Sequence, residues 1–194
     1  FCDYYDTLVL ATGASPIKPS IEGMENENVF TLRNINSADR IKQYIENSKP
    51  SSAVIIGSGF IGMELAENLV KKGIKVSVVE TVPQMMPSYD YEMSLLIKKE
   101  LINNGVKVFT GEKVVKIDTI SGTVLTDKGT SLSGEMVIAS AGVRPQVTLA
   151  KQAGAAIGTT GAIKVNAQME TSVKGIYAVG DCAESYFLID GTPC

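Results

Sequence analysis

Apolar positions along the chain fall into three kinds of pattern, and their order outlines an architecture. Short unbroken runs at Thr7–Ala11, Ala53–Ile56 and Glu135–Ser140 read as strands buried on both faces of a parallel sheet. Stripes with a 3.6-residue period mark helices. Ile61, Leu65, Ala66, Leu69 and Val70 form one stripe, closed by Lys71, Lys72 and Gly73. Ala38, Ile41, Tyr44 and Ile45 form another, capped by Asn36 or Ser37 and running to about Asn47. Met93, Leu96, Ile97 and Leu101 form a third across Tyr91–Asn104. Alternation then marks half-buried strands. Ile74, Val76 and Val78 lead to Glu80, and Val106 to Thr110 follows the third helix. Val114–Asp118, Thr123–Thr126 and Ser131–Ser133, joined at Ser121-Gly122 and Lys128-Gly129, predict an antiparallel meander. Ala14 to Leu32 carries Pro16, Pro19 and Gly23 and reads as a surface connection; Thr81–Asp90, with Pro83 and Pro87, reads as a loop. Toward the end come a short helix at Thr148–Ala153, a strand at Ala162–Val165 and a last strand that closes on Gly180-Asp181.

The run Ala53–Ile56 passes directly into Gly57-Ser58-Gly59-Phe60-Ile61-Gly62, a G-x-G-x-x-G set between a strand and an amphipathic helix. Gly57 permits the tight turn, Gly59 lets the backbone approach a pyrophosphate, and Gly62 lets the helix lie close on its strand. Glu80 stands about two dozen residues past Gly57, at the end of the next strand, where a carboxylate accepts ribose hydroxyls. Helix-start N–H groups, Ile61 among them, and the helix dipole supply the anion site. No Arg or Lys occurs in Thr81–Met86, so a 2′-phosphate would meet a carboxylate without a counter-charge; the expected ligand is NAD(H) over NADP(H). The fold class is α/β: a Rossmann-like doubly wound parallel sheet with an antiparallel β-meander.

Composition narrows the partners. The 194 residues are 44% apolar, enough for a sizeable core, and carry a net charge of −3 without a basic tract, which argues against nucleic acid. No apolar run approaches the ~18 residues of a spanning helix and the amino end shows no signal-peptide pattern, so no membrane partner and a cytoplasmic setting are expected. Three scattered cysteines suggest neither a disulfide framework nor a metal site, and the chain contains no histidine, which excludes a His general base and most zinc sites within it.

Four features stand in order: Ala11-Thr12-Gly13 after one strand, the fingerprint of 57–80, Ala141-Gly142-Val143-Arg144-Pro145 after another, and Gly180-Asp181 after the last. In this order they resemble the pyridine nucleotide–disulfide oxidoreductases, the two-dinucleotide flavoproteins, over essentially the whole chain. MELAENLVKKGIKVSVVE and QMMPSYDYEM look most like the CoA-disulfide reductase and NADH oxidase branch. The resemblance implies an NAD(H)-binding domain at residues 52–142, with partial FAD-domain segments at 1–51 and 143–194. It implies that Gly57, Gly59, Phe60, Ile61, Gly62, Glu64, Glu80 and Gly142 face NAD, with Phe60 shielding the nicotinamide pocket and Glu64 near the flavin and nicotinamide rings. Thr12 and Gly13 would pack near flavin phosphates, and Gly180 with Asp181 would hold the ribityl chain of FAD.

The same resemblance places the first flavin fingerprint and the redox cysteine ahead of the Ala-Thr-Gly turn, and a dimerisation domain beyond Gly-Asp. Cys2 does not match that cysteine. The expectation is therefore a fragment of an FAD-dependent enzyme that passes hydride from NADH to FAD and on to a disulfide such as CoA-disulfide, or to dioxygen; the parent would be a homodimer and the fragment inactive. A rubredoxin-type or nitrite-reductase-type flavoprotein reductase is the alternative within the family, and a non-catalytic NAD-sensing module the alternative outside it. Residue by residue, Phe60 reads as a gate or as core packing, and Glu64 as a ring-side acid or a solvated one. Cys182 reads as a buried small residue, because acidic Asp181 and Glu184 would not stabilise a thiolate. Met85 and Met86 read as packing.

Overall fold

A computed structural model of the chain describes residues 3–118 and 120–193. In chain order it contains β1 (Leu8–Leu10), β2 (Ala14–Pro16), β3 (Val29–Phe30), α1 (Ile35–Ser48), β4 (Ser52–Ile56), α2 (Phe60–Lys71), β5 (Lys75–Glu80) and α3 (Tyr91–Asn103). There follow β6 (Lys107–Thr110), β7 (Val114–Asp118), β8 (Thr123–Thr126), β9 (Ser131–Ser133), β10 (Met136–Ala139), β11 (Val143–Pro145), α4 (Thr148–Gln152) and β12 (Ile176–Ala178), with a single 3₁₀ turn at Gly180–Cys182. These elements form two compact units, Pro16–Gly142 and the paired segments Phe1–Ser15 and Val143–Cys194.

In the larger unit five parallel strands run in the order β3-β10-β4-β5-β6. Because side chains alternate across a strand, each face has its own core. Ile55, Val78, Met136 and Ile138 pack against Ile41 of α1 and Ala66 and Leu69 of α2. Val54, Ile56, Val79 and Val137 pack against Val114, Ile117, Val124 and Leu132 of the antiparallel β7-β8-β9 meander. Gly134 joins the meander to β10 at a close approach: a Cβ there would fall 2.7 Å from Val124 Cγ2 and 3.1 Å from Val54 Cγ2.

Several expectations change. Pro16 begins the larger unit, which therefore takes in α1. The surface connection Ala14 to Leu32 contains β2 and β3, and β3 pairs with β10 through Val29↔Val137 and Phe30↔Ile138. A two-residue strand has no period to read. The cap of α1 is Asn34, whose side chain accepts from the Ser37 N–H at 3.0 Å, while Ser37 Oγ accepts from the Asn34 N–H at 2.9 Å. Ala38 faces solvent. In α2 the small residues Gly62 and Ala66 take the sheet-facing position and leave Ile61 exposed. The stripe of α3 is only half covered: Ile97 and Leu101 are half-buried, but Met93 and Leu96 are exposed, Leu96 by 61%.

The smaller unit pairs β1 with β12 in parallel, Leu8↔Ile176 through Leu10↔Ala178. Leu10, Ala150, Ile163, Val165, Ile176, Ala178 and Cys182 form its core. The strand expected at Ala162–Val165 is reduced to isolated bridges, Ile163 to Ile157 and Ala183 and Val165 to Thr171. The strand read as buried at Thr7–Ala11 is covered on one side only; Leu10 is buried and Val9 is 55% exposed.

Candidate functional site

The three glycines after β4 are glycine for different reasons. Gly57 holds φ +98°, and a Cβ on it would fall 2.5 Å from the Ser140 carbonyl oxygen. Gly62, in the first turn of α2, would drive a Cβ to 2.5 Å from the Gly57 oxygen and 2.7 Å from Ser140 Oγ. Ser140 closes the junction by donating from Oγ to the carbonyls of Ile56 and Gly57 at 3.1 and 3.0 Å. Sequence reasoning missed Ser140, since a serine after a strand carries no periodic signal. Gly59 is unlike the other two. Its φ is −72°, open to any residue, and a Cβ on it meets no atom within 4 Å among the described residues. Neither the backbone nor internal packing calls for glycine at that position. Gly59 is also the N-cap of α2 and makes no side-chain cap hydrogen bond, so the first-turn N–H groups at the positive end of the helix dipole lack that partner.

Glu80 ends β5 with its side chain turned back toward this junction. Its Oε2 accepts from the Ser58 N–H and from Ser58 Oγ, both at 2.8 Å, and its Oε1 accepts from the Val82 N–H at 3.1 Å. Ser58 is the second residue that pattern reasoning passed over. Beside Glu80 in the sheet lies Thr110, whose Oγ1 accepts from Lys98 Nζ at 3.3 Å. This cation comes from α3, outside the loop in which cations were sought. Phe60 is 58% exposed, with its ring 5.9 Å from that of Tyr89, so it is not a core residue. Glu64, one turn further along α2, is exposed beside Phe60 and Met63. Gly142 holds φ +91°, and its carbonyl accepts from the Ile17 N–H at 2.9 Å. Met85 and Met86 are buried.

The remaining predicted residues gather in the smaller unit. Thr12 and Gly13 follow β1 and are tied to Gln146: Thr12 Oγ1 donates to the Gln146 carbonyl at 2.6 Å, and the Gln146 N–H donates to the Gly13 carbonyl at 2.8 Å. Gly180 and Asp181 follow β12, where the Val179 N–H bonds the Leu10 carbonyl at 3.0 Å. Both pairs therefore leave the carboxyl ends of adjacent parallel strands, where α/β sheets bind ligands. Asp181 is exposed. Cys182 is fully buried, its Sγ 3.3 and 3.4 Å from the carbonyls of Val179 and Leu10. Cys2 lies outside the described residues. Glu184 is buried and accepts from the Thr160 N–H at 2.8 Å and Thr160 Oγ1 at 2.9 Å; the Thr160 N–H above all holds its carboxyl below the usual carboxylate range. In the larger unit Ser51 does the same to Glu135, its N–H and Oγ donating at 2.7 and 2.9 Å. Among the described residues no cluster of three acidic, Cys or His side chains is placed to hold a metal, and no helix is long and apolar enough to cross a membrane.

A glycine turn between β4 and α2, with an acid at the end of the neighbouring strand β5, is the arrangement of dinucleotide-binding α/β proteins. Comparison with known families gives the particular one. The family model described as pyridine nucleotide-disulphide oxidoreductase matches residues 3–192, and the chain belongs to that family. The NADH oxidase of Methanocaldococcus jannaschii is 41% identical over 191 residues, covering 96% of this chain and 42% of that protein. The NAD(P)H sulfur oxidoreductase (CoA-dependent) of Pyrococcus furiosus is 37% identical over 190 residues, with 96% and 42% covered. Among solved structures, reduced Bacillus anthracis CoADR-RHD superposes with a TM-score of 0.94 at 42% identity, covering 98% of this chain and 34% of its own. The chain spans about two fifths of the length of the curated relatives it matches.

Proposed function

We infer that this chain is the NAD(H)-binding portion of an FAD-dependent NADH oxidoreductase, carried with segments of its flavin domain. The observation that bears most weight is Gly59, a glycine that neither its φ nor the packing around it requires, at the start of α2 in a G-x-G-x-x-G turn. On this reading the first turn of α2, from Gly59 through Ile61 and Gly62, neutralises the pyrophosphate with oriented N–H groups, and Glu80 accepts from ribose hydroxyls. Phe60 covers the nicotinamide end, steadied by Tyr89, with Glu64 alongside; Gly142 lines the nicotinamide side. Thr12, Gly13, Gly180 and Asp181, at the carboxyl ends of β1 and β12, belong to the flavin site. Flavin, when held there, supplies the acceptor for the hydride of NADH. In the parent enzyme the electrons continue to a disulfide such as CoA-disulfide or to dioxygen, in a cytoplasmic homodimer; rubredoxin-type and nitrite-reductase-type acceptors are the alternatives.

The 194 residues by themselves bind NAD(H) without turning over. Cys182 supports this, being sealed from solvent and engaged with backbone carbonyls. Calorimetric titration of the chain with NADH and NADPH, repeated on Glu80→Ala, tests the binding role. NADH is expected to bind more tightly, and Glu80→Ala to remove the preference; no uptake of NADH sinks the reading. NADH-dependent disulfide reduction by the chain alone would contradict the absence of turnover. One observation favours a second reading, use of both cofactors: Lys98 donates to Thr110 Oγ1, and Thr110 is the register partner of Glu80 on the next strand. Equal affinities, with NADPH weakened in Lys98→Ala, would select it.

A further inference from the structure

Ser58 fills the variable position of the glycine turn, where the fingerprint specifies nothing. It is nonetheless wholly buried. A serine hydroxyl has one proton to give and two lone pairs. Ser58 Oγ gives its proton to Glu80 Oε2 at 2.8 Å and accepts from the Met86 N–H at 3.1 Å, while the Ser58 N–H reaches the same Glu80 oxygen. One atom thus joins the turn, the end of β5 and the loop that follows. Met86 is held there at φ +47°, a left-handed conformation that a methionine keeps only where its surroundings impose it. Its carbonyl accepts from the Tyr89 N–H at 2.9 Å, and the Tyr89 ring meets Phe60.

The geometry points to Ser58 as a positioning residue that sets nucleotide specificity, by fixing Glu80 through one carboxylate oxygen and leaving the other for the ribose. This rests on the NAD(H) reading above. Oε2 is occupied by two donors from within the chain; Oε1 receives the Val82 N–H and keeps acceptor capacity for a ribose hydroxyl. An unrestrained glutamate has several rotamers and could swing aside for a 2′-phosphate. Held by two charge-assisted bonds it stays, and the phosphate meets a fixed negative charge. Ser58 therefore acts on both sides of the discrimination, favouring NADH and opposing NADPH.

Ser58→Ala removes the hydroxyl and keeps the N–H bond. Titrations of the full chain are expected to show NADH weakened about fivefold to tenfold and NADPH unchanged or tighter, which narrows the preference. In a Glu80→Ala background the same substitution should change neither affinity, because its effect passes through the carboxylate. Ser58→Cys, similar in size with a weaker donor, should fall between and serves if the alanine variant does not fold. Equal losses for both cofactors, or an undiminished preference, overturn the role. A wild-type chain that takes up no NADH overturns the NAD(H) reading itself and this inference with it.

Discussion

The two units make their glycine turns in similar places and support them very differently. In the larger unit the turn at Gly57 leaves a central strand flanked on both sides, with a separate apolar core on each face. In the smaller unit the turn at Gly180 leaves a three-residue strand paired with β1 on one edge and joined on the other only by the short 169–171 segment, and Val9 on β1 is open to solvent. Two paired strands do not sustain themselves in water. The lesson is that a binding turn is a feature of strand ends, whereas its rigidity comes from the sheet behind it. The larger unit carries its own; the smaller draws on scattered bridges and side-chain clamps such as Glu184.

The largest test of that contrast is in the strands. Ile55→Ala, fully buried in β4, should cost about 3–4 kcal/mol in chemical denaturation, while Val9→Ala in β1 should stay within about 0.5 kcal/mol. Comparable losses would end the distinction. Next come the turns themselves. Gly57→Ala combines a left-handed backbone with a contact on Ser140 and should cost about 2–3 kcal/mol; Gly180→Ala, at φ +72° in open space, should cost about 1 kcal/mol. Gly59→Ala sharpens the picture differently. Stability should hold within about 0.5 kcal/mol while NADH affinity falls about tenfold or more, read by denaturation and titration of one preparation.

The smallest effect is in acid. Glu135 and Glu184 both have carboxyls lowered by backbone N–H groups, of Ser51 and Thr160. A lowered folded-state value means that the stabilisation is complete above the ordinary glutamate range and fades as pH falls through it. Glu135→Gln and Glu184→Gln should each flatten the loss of stability below about pH 4.3, followed by thermal melts across pH. If only one does, the two clamps are not equivalent.

What was legible in the chain follows the range of the forces involved. The meander, the strands around Gly57 and the placement of Glu80 rest on local alternation and spacing, and the folded chain shows them in those positions. Periodicity identifies an apolar face but not its cover, which is why Met93 and Leu96 lie on the apolar stripe of α3 and yet stand in solvent. β3 escaped because its partner is more than a hundred residues away and its own two residues carry no pattern. The cap at Asn34 had a signal, Asn34 with Ser37 three positions on, in the capping-box arrangement. Ser58 and Ser140 had none: their importance arises only when Glu80 and Gly57 arrive beside them.

Gly134 carries a consequence for how this protein is able to diverge. The gap between the meander and the parallel sheet is set by a side chain of a single hydrogen, wedged against two valine methyls. Sequence drift on either layer is free to exchange one aliphatic residue for another, yet a Cβ at this position must displace the valine side chains beside it. Close packing at this seam thus favours glycine while the aliphatic residues around it are exchanged.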